Sequence, residues 1–188
     1  RMKPKDSTHQ KVLGWSMELK GGVCEASYED AHRNHVSLIR VKEGTTSVEI
    51  VCAGEVETMA DHHGVVGAHM GYTPLWLFRQ PTALTKAGAA VTALAHKVRA
   101  ENHASDVTML HALSNAIADS VAYQTGMTDA RTTAEESAQK GQGVCQDFAH
   151  LMIGVLRSHG LAARYVSGYL LTQPPPGQPR LVGADASH

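Results

Sequence analysis

Cys145 is the residue of this sequence best placed to act as a nucleophile. It follows Gly141–Val144 and opens a stretch in which apolar residues have helical spacing, so we expect its thiol to lie at a helix N-terminus. The unpaired N–H groups and the dipole at such a terminus favour an anion, and the thiolate is the reactive form of cysteine. The pattern therefore predicts an activated thiolate suited to acyl transfer.

The residues just before Cys145 are candidates for binding a substrate and its developing negative charge. Gly141 and Gly143 leave room for a substrate backbone to approach. Free backbone N–H groups at this turn could donate hydrogen bonds to an oxyanion, and Gln142 could add a side-chain donor. We therefore expect Gln142 and Gly143 to contribute to substrate or oxyanion binding.

Acyl transfer by a thiol also needs a proton carrier, and His188 is the candidate for that role. It follows Cys145 by forty-three residues, and a strand after the loop at 174–177 could bring it beside the helix start. His150 and His159 lie farther along the same helix and fit the role less well. The alternative is that Cys145 only packs at the start of a buried helix and that His188 takes no part in chemistry.

The remaining cysteines and histidines predict no metal site and no disulfide framework. Three cysteines are too few for such a framework, and no C-x-x-C pair is present. We expect Cys24 and Cys52 to be small buried apolar residues, with a bond between them left open. One group of histidines is close in sequence: His62, His63 and His69. Ordinary surface histidines are the favoured interpretation of that group, over metal ligands.

Composition limits the class of protein. The chain has 188 residues, 43% of them hydrophobic, and a net charge of −1, which suits one good core or two small ones and not a disordered chain. No apolar run is long enough for a membrane helix, and the balanced charge argues against nucleic-acid and membrane partners. No secretory signal is visible and the cysteines indicate a reducing compartment, so we expect a cytoplasmic protein.

The first third of the chain has the alternating pattern of β-strands. The strands are predicted at 13–19, 36–41 and 48–57. Gly54 is a candidate β-bulge, and the pairs Gly21–Gly22 and Glu43–Gly44 indicate turns. This region predicts a small antiparallel β unit.

From residue 82 onward the apolar spacing is helical. One helix is predicted after an N-cap at Thr82, and a second from Asp106 to Tyr123 with Asp106 as its cap. A third is predicted over 133–140 with Gly141 at its end, and a fourth from Cys145 to Gly160. Strands are predicted at 164–171, where the strand is expected to be buried, and at 181–188. The chain is thus predicted as α+β, with a β-rich domain at 1–58, a connection at 59–81 and a core domain at 82–188.

Three runs of residues resemble the bacterial transglutaminase-like family. They are Gly143–Met152, Leu156–Tyr169 and Ala184–His188. The first third is also similar to the β-rich N-terminal domain that such proteins carry, on the segments Lys3–Ser7, Trp15–Ser16 and Asp30–Asn34. The resemblance implies a papain-type core in which the nucleophile, at a helix N-terminus, packs on an antiparallel sheet.

The resemblance also implies roles for individual residues. Cys145 would be the nucleophile and His188 the general base and acid of a Cys-His-Asp triad, whose Asp is expected one strand after His188. Asp185 is on the same strand as His188 and points to the opposite face, so it is no replacement. The implied reaction passes through an acyl-enzyme on a peptide or protein amide, without a cofactor or metal. Hydrolysis is favoured, and the alternatives are amine transfer that cross-links proteins and a non-catalytic binding module with the same fold.

Overall fold

The computed structural model describes residues 3–59, 71–171, 176–177 and 182–184. Its contacts divide the chain between Thr73 and Pro74 into two compact units, here called the N-terminal and C-terminal units. Strands dominate the first unit and helices the second, which confirms the α+β prediction. The predicted domain limits at 58, 59–81 and 82 stay predictions.

Four strands form the described part of the N-terminal unit. They are β1 (Gln10–Lys20), β2 (Gly22–Glu29), β3 (His35–Val41) and β4 (Glu49–Thr58). β1 pairs antiparallel with β4, and β2 pairs antiparallel with β3. The sequence pattern did not predict β2, because a register shift between Cys24 and Ala26 interrupts the alternation of its side chains. Gly21, predicted as a turn residue, does turn the chain between β1 and β2 with a φ of +77°.

The predicted bulge at Gly54 is wrong. Gly54 keeps its place in the ladder opposite Trp15, and the register shift lies on the other strand, between Val12 and Gly14. A Cβ on Gly54 would lie 2.3 Å from the Trp15 ring and 2.6 Å from the Gly14 carbonyl oxygen. The glycine is therefore required by a close approach of the neighbouring strand, which is the other common reason for glycine inside a strand.

Among the described residues of the C-terminal unit, four helices are joined by short strands. The helices are α1 (Ala89–Ala100), α2 (Asp106–Ser120), α3 (Ala134–Lys140) and α4 (Cys145–Ser158). A 3₁₀ turn covers Leu77–Arg79, and the strands are β5 (Ala122–Tyr123), β6 (Gln142–Gly143), β7 (Tyr169–Leu171) and β8 (Val182–Ala184). No helix in the described part of the chain is long and apolar enough to cross a membrane.

The start of α1 differs from the prediction, which placed its N-cap at Thr82. The N-cap is Gly88, and the Glu135 carboxylate of α3 accepts hydrogen bonds from the backbone N–H groups of Gly88, Ala90 and Val91 at 3.0, 2.8 and 3.1 Å. Burial raises the pKa of Glu135, but these donors outweigh burial and the pKa lies below its usual value. The cap comes from another helix, so local sequence around Thr82 could not reveal it.

The limits of α2 also differ from those predicted. Ser105, not Asp106, is the N-cap, and its hydroxyl accepts a hydrogen bond from the Thr108 N–H at 3.2 Å. The helix ends at Ser120 and not at Tyr123, because Ala122 and Tyr123 pair with β6 as a parallel strand.

The hydrophobic core of the C-terminal unit surrounds α4. Its fully buried members are Val91, Ala95, Val98, Leu113, Ile117, Val121, Ala134, Leu151 and Val155. Within α4, Leu151 and Val155 are buried, and Phe148, Met152 and Leu156, which share their helical spacing, are half-buried and pack against this core. Residues of α1, α2 and α3 thus share one core with α4.

The segment that follows α4 is less regular than predicted. Only Tyr169–Leu171 of the predicted strand 164–171 is a strand, and Val166 is 70% exposed, so the expectation of a buried strand there is wrong. The backbone of Ala163 is bound instead to Phe78 and Arg157: its N–H donates to the Phe78 carbonyl at 3.1 Å, and its carbonyl accepts from the Arg157 guanidinium at 2.8 Å. Of the predicted strand 181–188, Val182–Ala184 forms β8 and pairs antiparallel with β7, and the rest lies outside the described residues.

Candidate active site

Cys145 is the first residue of α4, as the sequence predicts. The preceding residue, Val144, is extended (φ −117°, ψ −178°) and caps the helix. The thiol is half-buried and forms no disulfide. The first N–H groups of a helix have no partner within the regular ladder, so the start of α4 is a place where backbone donors can lie near the thiol.

The backbone that leads to Cys145 is held by a short parallel strand pair. Gly141 ends α3 with a φ of +63°, which suits a glycine. Its carbonyl accepts from the N–H of Ala122 at 2.8 Å, and the Gly143 carbonyl accepts from the N–H of Gln124 at 2.9 Å. The turn before the nucleophile is therefore fixed on β5 at two points.

Gly143 packs more tightly than the sequence suggests. It is buried, and a Cβ there would lie 2.7 Å from the Asp147 Cβ and 2.9 Å from the Ser137 hydroxyl oxygen. The Ser137 hydroxyl also donates to the Gln142 carbonyl at 3.1 Å. The space left by the missing side chain is thus filled by Asp147 and Ser137. Gln142 is half-buried, and the substrate or oxyanion role of Gln142 and Gly143 stays a prediction.

Asp147 is a residue of this site that sequence reasoning missed. Only 1% of it is exposed, and its Oδ2 accepts hydrogen bonds from the Val144 N–H at 2.8 Å and from the Thr128 hydroxyl at 2.6 Å. Its other oxygen, Oδ1, is buried and has no hydrogen-bond partner among the described residues. An acidic residue at the third helical position is a known capping signal, so the sequence did carry a hint of this role.

His150 lies one turn farther along α4 and is also buried. Its ring is 5.7 Å from the Tyr165 ring, and its Nδ1 has no hydrogen-bond partner among the described residues. Burial lowers the pKa of His150, opposed in part by the charge of Asp147 and by a hydrogen bond with the Thr132 backbone. His150 is thus a buried histidine with a lowered pKa, and the choice of His188 as proton carrier stays a prediction.

The predicted partner of Cys145, His188, lies outside the described residues. Asp185 and the histidine group at 62, 63 and 69 lie outside them too. The last residue of β8 is Ala184, which pairs with Tyr169 and precedes His188 by four positions in the sequence. The role of His188 therefore stays a prediction.

The other two cysteines correct one expectation. Cys24 is exposed and Cys52 is only half-buried, so the prediction that both are buried is wrong. Neither forms a disulfide. Cys24 lies at the bulge of a two-stranded sheet, where the Ser27 hydroxyl is 3.5 Å from its Sγ, and such a sheet has no second layer of its own to bury it. Among the residues that the structure describes, no cluster of His, Cys, Asp and Glu could hold a metal ion.

Family models match both halves of the chain. The model of the transglutaminase-like superfamily core matches residues 92–188, which contain α2, α3, α4 and Cys145. The model of the bacterial transglutaminase-like N-terminal region matches residues 1–57, which contain most of the N-terminal unit.

Individual proteins match as well. A crystal structure of a proposed cysteine protease from Cytophaga hutchinsonii has the same fold, with a TM-score of 0.67, 19% identity, and coverage of 97% of this chain and 68% of that one. The uncharacterized protein Rv2569c of Mycobacterium tuberculosis is 49% identical over 82 residues, which are 44% of this chain and 26% of that protein. The uncharacterized protein ML0607 of Mycobacterium leprae is 29% identical over 179 residues, 90% of this chain and 63% of that protein. The chain thus covers less than two thirds of these curated relatives.

Proposed function

Because the chain belongs to the transglutaminase-like superfamily, we propose that it is a thiol-dependent enzyme that cleaves a peptide or protein amide through an acyl-enzyme on Cys145. The observation that carries this proposal is the position of Cys145. It is the first residue of a fourteen-residue helix, its thiol is half-buried, and the turn before it is bound to a neighbouring strand. A thiol held in this way has the helix dipole to stabilise its anion.

The proposed reaction has two steps. In the first, His188 accepts the proton of the Cys145 thiol, the sulfur attacks the amide carbonyl carbon, the C–N bond breaks, and the amine leaves with that proton. In the second, His188 accepts a proton from water as the water oxygen attacks the thioester carbon. The C–S bond then breaks to release a carboxylic acid, and His188 returns the proton to the Cys145 sulfur. Backbone N–H groups at the start of α4 would bind the oxyanion that forms in both steps.

Hydrolysis is proposed over cross-linking on the basis of the fold comparison. The structural neighbour from Cytophaga hutchinsonii is described as a proposed cysteine protease, and this chain shares its fold over 97% of its length. If an amine replaced water in the second step, the same acyl-enzyme would give a new amide and cross-link two proteins. The first step is common to both reactions.

Alkylation of the three cysteines tests the activated thiol. The full chain is treated with iodoacetamide between pH 5 and pH 9, and the rate at each cysteine is read from its own peptide by mass spectrometry. We expect Cys145 to react faster than the exposed Cys24 below pH 7, because a thiolate stabilised by the helix persists at lower pH. A Cys145 rate no higher than that of an unfolded peptide thiol would exclude the proposal.

Trapping of the acyl-enzyme tests the reaction itself. Peptide amides and activated esters are incubated with the protein, and the added acyl mass is located by mass spectrometry. Cys145→Ala should abolish both the adduct and turnover, whereas Cys24→Ala, at an exposed thiol in the other unit, should change neither. His188→Ala should slow turnover by about a hundredfold or more while leaving the fold intact. A protein that takes no acyl group at Cys145 from any substrate would support the binding-module alternative.

A further inference from the structure

The turn before Cys145 is tied to the interior of the C-terminal unit by one buried carboxylate. Asp147 Oδ2 accepts from the Val144 N–H at 2.8 Å, and Val144 is the residue directly before the nucleophile. Asp147 is 1% exposed, so this bond forms away from water and exchanges little with solvent. A hydrogen bond to a carboxylate is also stronger than one between neutral groups.

A second contact fixes the orientation of that carboxylate. The Thr128 hydroxyl donates to the same Oδ2 at 2.6 Å. Thr128 lies in the loop between β5 and α3, so the carboxylate is held from outside α4. Behind it, the Asp147 Cβ and the Ser137 hydroxyl fill the space next to Gly143. The Asp147 side chain is therefore held by its hydrogen bond with Thr128 and by its close packing against Gly143 while it binds Val144.

From these contacts we infer that Asp147 is a positioning residue for Cys145: with Thr128 as its support, it holds the Val144 N–H and so fixes the direction in which the thiol leaves the helix. The inference rests on the proposed function, since it assigns a purpose to Asp147 only if Cys145 is a nucleophile. Asp147 does not touch the substrate in this scheme. It acts only through the backbone of Val144.

The inference separates two properties of Asp147, its acceptor oxygen and its charge. Asp147→Asn keeps an oxygen that can accept from Val144 and Thr128 but removes the negative charge, whereas Asp147→Ala removes both. If the acceptor matters, the asparagine variant should behave like the wild type and the alanine variant should not. Thr128→Val keeps the shape of the threonine but removes its donor, and it should have a smaller effect, because the bond to Val144 remains.

Glu135 offers a matched control within the same unit. It too is a carboxylate that binds backbone N–H groups at a helix start, but the helix is α1 and not α4. Glu135→Ala should therefore lower the unfolding temperature, as Asp147→Ala should too, but without changing the relative reactivity of Cys145. This control separates a loss of position at the nucleophile from a general loss of stability.

The experiment is the peptide-resolved iodoacetamide reaction, performed on folded wild type and on the four variants across pH 5–9 with Cys24 as the internal reference thiol. We expect Asp147→Ala to lower the Cys145 rate about tenfold or more and to move its pH midpoint toward that of an ordinary thiol. Asp147→Asn should stay within about threefold of the wild type, and Glu135→Ala should match the wild type.

The outcomes distinguish this inference from the proposed function. If wild-type Cys145 reacts no faster than an unfolded peptide thiol, the proposed function fails. If wild-type Cys145 is fast and folded Asp147→Ala is equally fast, only the positioning role of Asp147 fails. An asparagine variant as slow as the alanine variant would also overturn the inference, since the charge and not the acceptor would then be responsible. Should Asp147→Ala not fold, the Asp147→Asn and Thr128→Val variants still decide: an asparagine rate more than tenfold below the wild type contradicts the inference.

Discussion

The two units of this chain bury their apolar side chains to very different degrees. Among the residues that the structure describes, twelve hydrophobic residues are buried, and all of them lie in the C-terminal unit, from Phe78 to Val155. In the described part of the N-terminal unit, large apolar side chains remain exposed: Leu13, Met17, Val23, Tyr28, Leu38, Val41 and Val51 are each at least 39% accessible. The helical unit therefore has a core that can fix a reactive group, whereas the strand ladders depend on hydrogen bonds and cross-strand contacts.

The largest expected difference between the units is the effect of a truncated leucine. Leu113→Ala should lower the free energy of unfolding by about 2–5 kcal/mol, because Leu113 is fully buried in the core around α4. Leu38→Ala in β3, where the leucine is 57% exposed, should cost less than about 1 kcal/mol. Urea unfolding followed by circular dichroism measures both. Equal losses would show that the N-terminal unit has a hidden core of its own.

A second pair of variants compares two glycines. Gly143→Ala places a methyl group 2.7 Å from the Asp147 Cβ, and we expect a loss of about 1–3 kcal/mol together with slower alkylation of Cys145. Gly14→Ala in β1 meets nothing within 4 Å and should leave stability nearly unchanged. Thermal unfolding gives the first quantity and peptide-resolved alkylation the second. A Gly143→Ala protein with normal Cys145 reactivity would show that the turn tolerates displacement.

A third comparison uses the pH dependence of the free energy of unfolding, because the buried imidazole of His150 lies in the helical unit. Burial lowers the pKa of His150 in the folded chain. Above pH 6.5, the ordinary pKa of histidine, the His150 imidazole is neutral in both the folded and the unfolded chain. As the pH falls below 6.5, the unfolded chain takes up a proton at His150 that the folded chain does not. Stability should therefore fall between pH 6.5 and the lower folded pKa.

His150→Gln removes this proton uptake, so its stability should depend less on pH over the same range than that of the wild type. Urea titrations at pH 7, 6 and 5 provide the measurement. His35→Gln, at an exposed position at the start of β3, is the matched control and should leave the slope unchanged. Identical slopes for wild type and His150→Gln would mean that the ring is protonated in the fold.

The smallest effect is expected for an ion pair on the strands. Lys20 and Glu49 lie 3.1 Å apart across β1 and β4, with 69% and 57% of their side chains exposed. Replacing Glu49 with Gln should cost about 0.5 kcal/mol or less, and the loss should vanish in 1 M salt. Denaturant titrations at low and high salt test this. A loss above 1 kcal/mol that persists in high salt would contradict the estimate.

Features encoded over a few neighbouring residues were predictable from the sequence. The apolar spacing after Cys145 placed the start of α4 at the residue where the structure has it, and Gly141 ends α3 as its conformational freedom allows. Leu151 and Val155 face the core for the same reason. The strand pattern of the first third and the helical spacing from residue 82 predicted the α+β arrangement, which the fold comparison supports.

Features that depend on distant residues were not predictable in this way. The cap of α1 is supplied by Glu135, forty-seven positions after Gly88, and no local pattern around Thr82 records it. The tight space at Gly143 exists only once Ser137 and Asp147 are packed against it. Asp147 itself was visible as an acidic residue in a first helical turn, but its burial and its bond to Thr128 are consequences of the folded chain.

The two ends of α4 are bound by side chains of opposite charge. At one end the Asp147 carboxylate accepts from the Thr128 hydroxyl, in the loop between β5 and α3, at 2.6 Å. Near the other end Arg157 donates to the carbonyls of Phe78 and Ala163 at 2.9 and 2.8 Å and to the Thr85 hydroxyl at 2.9 Å. The helix can therefore neither slide along its axis nor rotate about it without breaking a hydrogen bond to a charged group. Thermal motion at the sulfur should accordingly follow the small amplitude of a packed helix, even where the surrounding loops fluctuate more widely.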